Sequence, residues 1–146
     1  MRRLTEPDAT RTYADWFRAA EVRRCSAHAT PTIAECRTYI RKALSNPDIM
    51  LWGIFADGRH VGNIKAERLP DQAIIGLLVD SRWRGQGVGP TAIRQAARWC
   101  FRHWKVGVVT AGVHPFNTRG MRAFEKAGFK VADLNLPRVW LHLEKP

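Results

Sequence analysis

The feature that most constrains this chain is a strand, a loop and a helix in immediate succession. Residues 72–79 (QAIIGLLV) are almost unbroken in their apolar character, as in a strand buried on both faces. The loop Arg84-Gly85-Gln86-Gly87-Val88-Gly89 follows, with glycine at every second position. Beyond it, Ile93, Ala96, Ala97, Cys100, Phe101 and Trp104 recur at the spacing of an amphipathic helix. Pro90 stands where the first helical residue is expected. Glycines in such a loop reach positive φ and let backbone approach a ligand. Their amide N–H groups and the helix N-terminus together form a nest for an anion. A phosphate or pyrophosphate is the natural guest, and Arg84 adds a formal charge. No Lys-Ser/Thr follows Gly89, so the loop is not a Walker A motif, and its strict alternation is not GxGxxG. No acidic residue stands on a second strand about 20 residues further on, as a dinucleotide fold requires.

The flanking segments complete a mixed α/β pattern. Residues 8–24 read as a helix with Trp16, Phe17, Ala20 and Val22 on a partial apolar face and Asp8 as its cap. Residues 32–44 read as a second helix, opened by a Thr32/Glu35 capping box and closed by Asn46-Pro47. The period then changes. Residues 50–55 and 60–67 form two strands around Asp57-Gly58, a hairpin signal. Residues 106–113 form a strand. Asn117 caps a helix that runs to Ala127, with Gly128 as its stop. Residues 129–132 and 139–143 are the last strands. The order is α-α-β-β-β-α-β-α-β-β, without repeat or linker, in one α/β domain spanning 1–146.

The net charge of +11, from 24 Lys and Arg against 13 Asp and Glu, attracts anions but does not choose among a cofactor phosphate, a nucleotide-linked substrate, RNA or an acidic protein. No aromatic-basic RNA motif is present, so nucleic acid is not an expected partner. No apolar run has the length of a membrane span. The opening MRRLTEPDATR lacks an apolar segment, so neither a signal peptide nor a membrane anchor is expected. Cys25, Cys36 and Cys100 are odd in number and lack paired spacing, which points to reduced thiols and a cytoplasmic location. His28, His103 and His142 lack the spacing of metal ligands, and no metal is expected.

Two motifs in order carry a resemblance. The loop Arg84-Gly-Gln-Gly-Val-Gly89 resembles the R/Q-x-x-G-x-G/A loop of the GNAT superfamily of N-acetyltransferases, which lies between that family's fourth strand and third helix. Asn117 followed by Phe124-Glu-Lys-Ala-Gly-Phe129 resembles the family's N-x₆-Y-E-K-x-G-F segment. The N-terminal part, with Val61-Gly-Asn-Ile-Lys65, is most similar to the branch of ribosomal-protein and nucleotide-sugar amine acetyltransferases. The resemblance implies a GNAT fold: a mixed sheet of about six to seven strands with flanking helices, its fourth and fifth strands splayed. It implies acetyl-CoA as co-substrate, direct transfer to an amine, and a homodimer as a common state. It places the pyrophosphate on Arg84, Gly85, Gln86, Gly87, Val88, Gly89 and Pro90, the pantetheine arm on Leu77, Leu78 and Val79, and a further cofactor contact on Asn117.

The sequence also departs from the family pattern. Phe124 stands where a tyrosine usually protonates the leaving thiolate. Ile74 and Gly112 stand where relatives carry a glutamate base. The remaining candidates for the base are His114, at the end of the 106–113 strand, because the imidazole of a histidine is the side chain that ordinarily exchanges a proton near neutral pH, and Glu67, beside the 69–71 turn; Asp71 is a further carboxylate there. Three readings follow: an acetyltransferase for a small-molecule amine, plausibly a nucleotide-linked amino sugar; an acetyltransferase for a ribosomal protein or aminoacyl-tRNA; and an acyl-CoA-binding sensor without turnover.

Overall fold

A computed structural model of the chain describes residues 1–18, 31–134 and 137–146. Seven strands form one sheet: β1 (Arg2–Arg3), β2 (Ile49–Ala56), β3 (Arg59–Arg68), β4 (Gln72–Val79), β5 (Val108–Val113), β6 (Lys130–Asp133) and β7 (Val139–Glu144), in the order β1-β2-β3-β4-β5-β7-β6. All neighbours are antiparallel except β4 and β5, which are parallel. Sequence periodicity misses β1, whose two exposed arginines are held in place by pairing with Trp52 and Gly53. With β1 counted, the strand before the glycine loop is the fourth.

Among the described residues, four α-helices flank the sheet: α1 (Arg11–Trp16), α2 (Ile33–Ser45), α3 (Val88–Trp99) and α4 (Thr118–Lys126). On one face, α3 and α4 cover a core that includes Ile64, Ile75, Ile93, Val109 and Leu141. On the other, α1 and α2 bury Leu4, Tyr13, Ile40 and Leu51. Ile93 is fully buried, so truncating it to alanine is worth about 2–5 kcal/mol.

Several boundaries move for local reasons. Helix α1 begins at Arg11, capped by the Thr10 hydroxyl, which accepts from the Tyr13 N–H. Asp8, expected as the cap, closes a 3-10 turn instead, and its carboxylate accepts from the Thr5 N–H and from Arg2. Ala20, Val22 and Cys25 lie outside the described residues. Thr32 caps α2 as expected, accepting from the Glu35 N–H at 3.1 Å. Pro90 is the third helical residue, not the first, because α3 starts at Val88. That position is still in the first turn, where backbone N–H groups have no intrahelical acceptor. The helical pattern to Trp104 is real, but its last turn, Cys100–Trp104, is π-helical. Asn117 and Gly128 delimit α4 as expected, with Gly128 at φ 99°.

The strand expected to be buried on both faces is not. Ala73, Ile75 and Val79 are buried towards α3, whereas Ile74 and Leu78 are half-buried and Gly76 is exposed on the opposite side. Among the described residues no helix is long and apolar enough to cross a membrane.

Candidate active site

Strands β4 and β5 pair only at Gln72↔Val108, Ala73↔Val109 and Ile74↔Thr110. Beyond that point neither has a partner on the facing edge, so a slot opens towards their C-terminal ends. The Thr110 hydroxyl donates to the Ala73 carbonyl at 3.4 Å and marks the closed end. Along the slot, β4 residues 75–78 present an edge without a strand partner, a ready template for an extended polar chain.

The glycine loop sits at the open end. Gly85 and Gly87 have φ of 74° and 79°, and nothing lies within 4 Å of where their Cβ atoms would be. Their role is conformational, since this region disfavours any side chain. Gly89 serves packing: a Cβ there would meet Leu77 at 3.3 Å and Ala123 of α4 at 3.5 Å. Among the described residues, no backbone acceptor takes the N–H groups of residues 85–89. They lie together at the N-terminus of α3, where the helix dipole adds positive charge. Arg84 donates from Nε to the Val79 carbonyl at 3.2 Å, anchoring the loop to the end of β4.

The loop is braced from beneath by Asp80, a residue the sequence reading passed over. Its carboxylate is 5% exposed. It accepts from Arg82 Nη2 at 2.8 Å, Arg82 Nε at 3.1 Å, the Arg82 backbone N–H at 2.9 Å and Trp16 Nε1 at 2.9 Å. The Arg82 side-chain bonds, against the opposing cost of burial and with help from the Arg82 N–H and Trp16, hold the carboxyl well below the usual range. The sequence signal was Asp80 two residues before Arg82, closing a turn after an apolar strand. Asn117 caps α4 through Oδ1, which accepts from the Gly120 N–H at 2.9 Å.

On the α1/α2 side, the slot is bordered by polar groups from several strands. Glu67 lies opposite Ile74 and Lys65 opposite Gly76 in the β3–β4 register. Glu67 therefore lies on the same face of the sheet as Ile74, one strand away. Lys65 Nζ lies 3.4 Å from Glu67 Oε2, and both side chains are partly exposed. Tyr39 of α2 leans over them. Burial of its phenol pushes its pKa up, with the Lys65 ammonium opposing and the Glu67 carboxylate adding. Among the described residues, a Cβ on Gly76 would meet nothing within 4 Å, and none of them fills the space beside Lys65. Across the slot, a Cβ on Gly112 would lie 3.0 Å from the Trp140 ring and 3.2 Å from Arg138 Cδ. Lys65 and Gly76 were missed because strand register brings them together, Tyr39 because helix packing carries it to Lys65 and Glu67, and Arg138 because it reaches Gly112 from the segment before β7.

The other candidates lie elsewhere. His114 follows β5 at the open end, where its Nδ1 accepts from the Phe116 N–H at 3.3 Å. Asp71 is exposed in the turn before β4. Phe124 is 3% exposed and packs edge-on against Phe129 at 5.1 Å. Cys36 and Cys100 are free and buried, and burial raises the Cys100 thiol to about 12. No cluster of metal-ligating side chains occurs among the described residues.

Comparison with known proteins agrees with this geometry. The profile of the Acetyltransferase (GNAT) domain family matches residues 1–130. "Probable N-acetyltransferase YjcK" of Bacillus subtilis (strain 168) is 31% identical over 98 residues, 63% of this chain and 54% of that protein. The match thus spans about half the length of that relative. Among solved structures, the aminoglycoside acetyltransferase AAC(6')-Ib in complex with coenzyme A and kanamycin superposes with a TM-score of 0.83 at 20% identity, covering 99% of this chain and 93% of that one. Mycobacterium smegmatis RimJ in complex with CoA-disulfide gives 0.83 at 16% identity, covering 98% and 80%.

Proposed function

This chain belongs to the GNAT family of acyl-CoA-dependent N-acetyltransferases, and we propose that it acts as one domain over residues 1–146 to acetylate a primary amine of a small molecule. The observation that carries this reading is the slot between β4 and β5, with an unpaired strand edge along one side and, at its mouth, loop amides that no backbone acceptor takes among the described residues. Acetyl-CoA supplies an activated acyl group as its thioester. In this reading the N–H groups of residues 85–89, helped by Arg84, hold the pyrophosphate. The β4 edge at Leu77, Leu78 and Val79 pairs with the amides of the pantetheine arm. Asn117, with Oδ1 committed to capping, contacts the cofactor through its Nδ2.

Glu67 is the base in this account. It stands beside the closed end of the slot, opposite Ile74, where a carboxylate takes a proton from an ammonium lying over Gly76. A neutral amine then attacks the thioester carbonyl directly. His114 is less suited. Its Nδ1 lone pair is engaged by the Phe116 N–H, so in the neutral ring Nε2 carries the proton and offers no lone pair to the substrate ammonium. Phe124 has no proton for the leaving thiolate, which departs without an acid from that position. The Val61-Gly-Asn-Ile-Lys65 segment supports a nucleotide-linked amino sugar among possible acceptors.

The test is thiol release from acetyl-CoA by the purified protein against free and nucleotide-linked amino sugars, aminoglycosides, polyamines and N-terminal peptides, with calorimetry of acetyl-CoA in parallel. Amine-dependent release above background is expected. Tight acetyl-CoA binding without release from any amine supports the sensor reading instead. No binding of acetyl-CoA sinks the proposal.

A further inference from the structure

The charges around the acceptor side of the slot have a definite sign. Glu67 is the carboxylate beside its closed end, and the Lys65 ammonium lies 3.4 Å from it. This contact is long for a charge-assisted bond. It is looser than Arg2–Asp8 at 2.7 Å, Arg41–Glu6 at 2.6 Å or Arg68–Asp48 at 2.6 Å. Lys65 is therefore not fully consumed by Glu67, and it borders the open space left by Gly76. Arg138 lies against Gly112 on the far side of the slot and makes no ion pair among the described residues. Lys65 thus stands beside the carboxylate, and Arg138 stands across the slot at Gly112.

An ammonium that approaches Glu67 meets Lys65 at close range, and like charges at that distance repel. A polycation meets that repulsion repeatedly, within the field of a chain of net charge +11. A molecule that carries an anionic group beside its amine reverses the balance. Its anion takes a Lys65 donor beyond those facing Glu67 and the Tyr39 phenol and reaches towards Arg138, and its amine takes Glu67.

We propose that the acceptor is a small amine bearing its own phosphate or carboxylate within a few bonds, selected by Lys65 and Arg138. This rests on the acetyltransferase reading and narrows its substrate class. It separates this chain from the aminoglycoside enzyme that shares its fold.

The experiment compares matched amines: ethanolamine with phosphoethanolamine and glucosamine with glucosamine 6-phosphate, beside kanamycin and spermidine as polycations. kcat/KM for acetyl transfer is measured at low and high salt. The anionic member of each pair is expected to be preferred by about tenfold or more, an advantage that salt reduces. Lys65→Met should collapse the preference towards unity, and Lys65→Arg should restore most of it. A Lys65 that only supports the fold would alter stability without changing the ratio. Preference for the uncharged members or for the polycations overturns the inference while leaving the transferase reading intact. A preference unaltered by both Lys65→Met and Arg138→Met overturns the assigned residues. Turnover of no amine by a protein that binds acetyl-CoA overturns the transferase reading itself.

Discussion

The Trp16 indole Nε1 donates to Asp80 Oδ2 at 2.9 Å, so helix α1 and the strand that feeds the glycine loop share one buried carboxylate. Asp80 also accepts three bonds from Arg82, which fixes the turn from which the loop departs. The helix on the acceptor side is thereby tied to the cofactor side. Trp16→Phe keeps the ring packing against Tyr13 and His60 but removes one donor from a buried anion. Urea denaturation should show a loss of about 1–3 kcal/mol, and acetyl-CoA affinity should fall with it. Unchanged affinity would show that the tie does not reach the loop.

Glu67→Gln retains size and polarity but cannot take a proton. Its kcat/KM should fall by about 10²-fold or more, with acetyl-CoA binding by calorimetry retained. His114→Ala should have the smaller effect of the two. The reverse ranking would move the base to the end of β5.

Gly87→Ala tests the loop without adding a clash among the described residues, none of which lies within 4 Å of the new methyl. Only the φ of 79° opposes it, a cost of about 1–2 kcal/mol. If the loop relaxes to escape that strain, the amide nest is lost and acetyl-CoA binding weakens by about tenfold. Calorimetry beside thermal unfolding separates weakened binding from lost stability.

His60 makes stability depend on pH. Its ring stacks on Phe55 at 4.9 Å and on Tyr13 at 5.9 Å, and its buried Nε2 finds no hydrogen-bond partner among the described residues. Burial lowers its pKa from 6.5, opposed by Asp8, the Gly62 backbone and Asn63, while Arg2 adds to the lowering. Because the folded value lies below the unfolded one, the unfolded chain binds the proton first. Stability from this site is present above pH 6.5 and is lost as the pH falls below it. His60→Phe should flatten the stability profile between about pH 5 and 7. An unaltered acid slope would assign the loss to other groups.

The sequence disclosed what is local. Alternating glycines, the Thr32 and Asn117 caps, the Gly128 stop and the 3.6-residue spacing of Ile93, Ala96, Ala97 and Cys100 each express a backbone preference within a few residues. What it did not disclose depends on partners distant in the chain. Strand β1 is two arginines that only β2 makes into a strand. The apolar run of β4 gave no sign that Gly76 is exposed, because the half-open face is itself lined by Ile74 and Leu78. Pro90 suits any first-turn position, so it could not fix where α3 begins. Glu67 stood out as a turn carboxylate, but its place beside Ile74 follows from strand register.

The central claim is that acetyl-CoA lies between β4 and β5 with its pyrophosphate on the glycine loop. Backbone hydrogen exchange, followed with and without acetyl-CoA, tests it most directly. The account predicts slowed exchange at residues 77–79 and 85–89, with the outer part of the β2–β3 hairpin unaffected. Binding that leaves both segments exchanging as in the free protein, or that protects another face of the sheet, would contradict it.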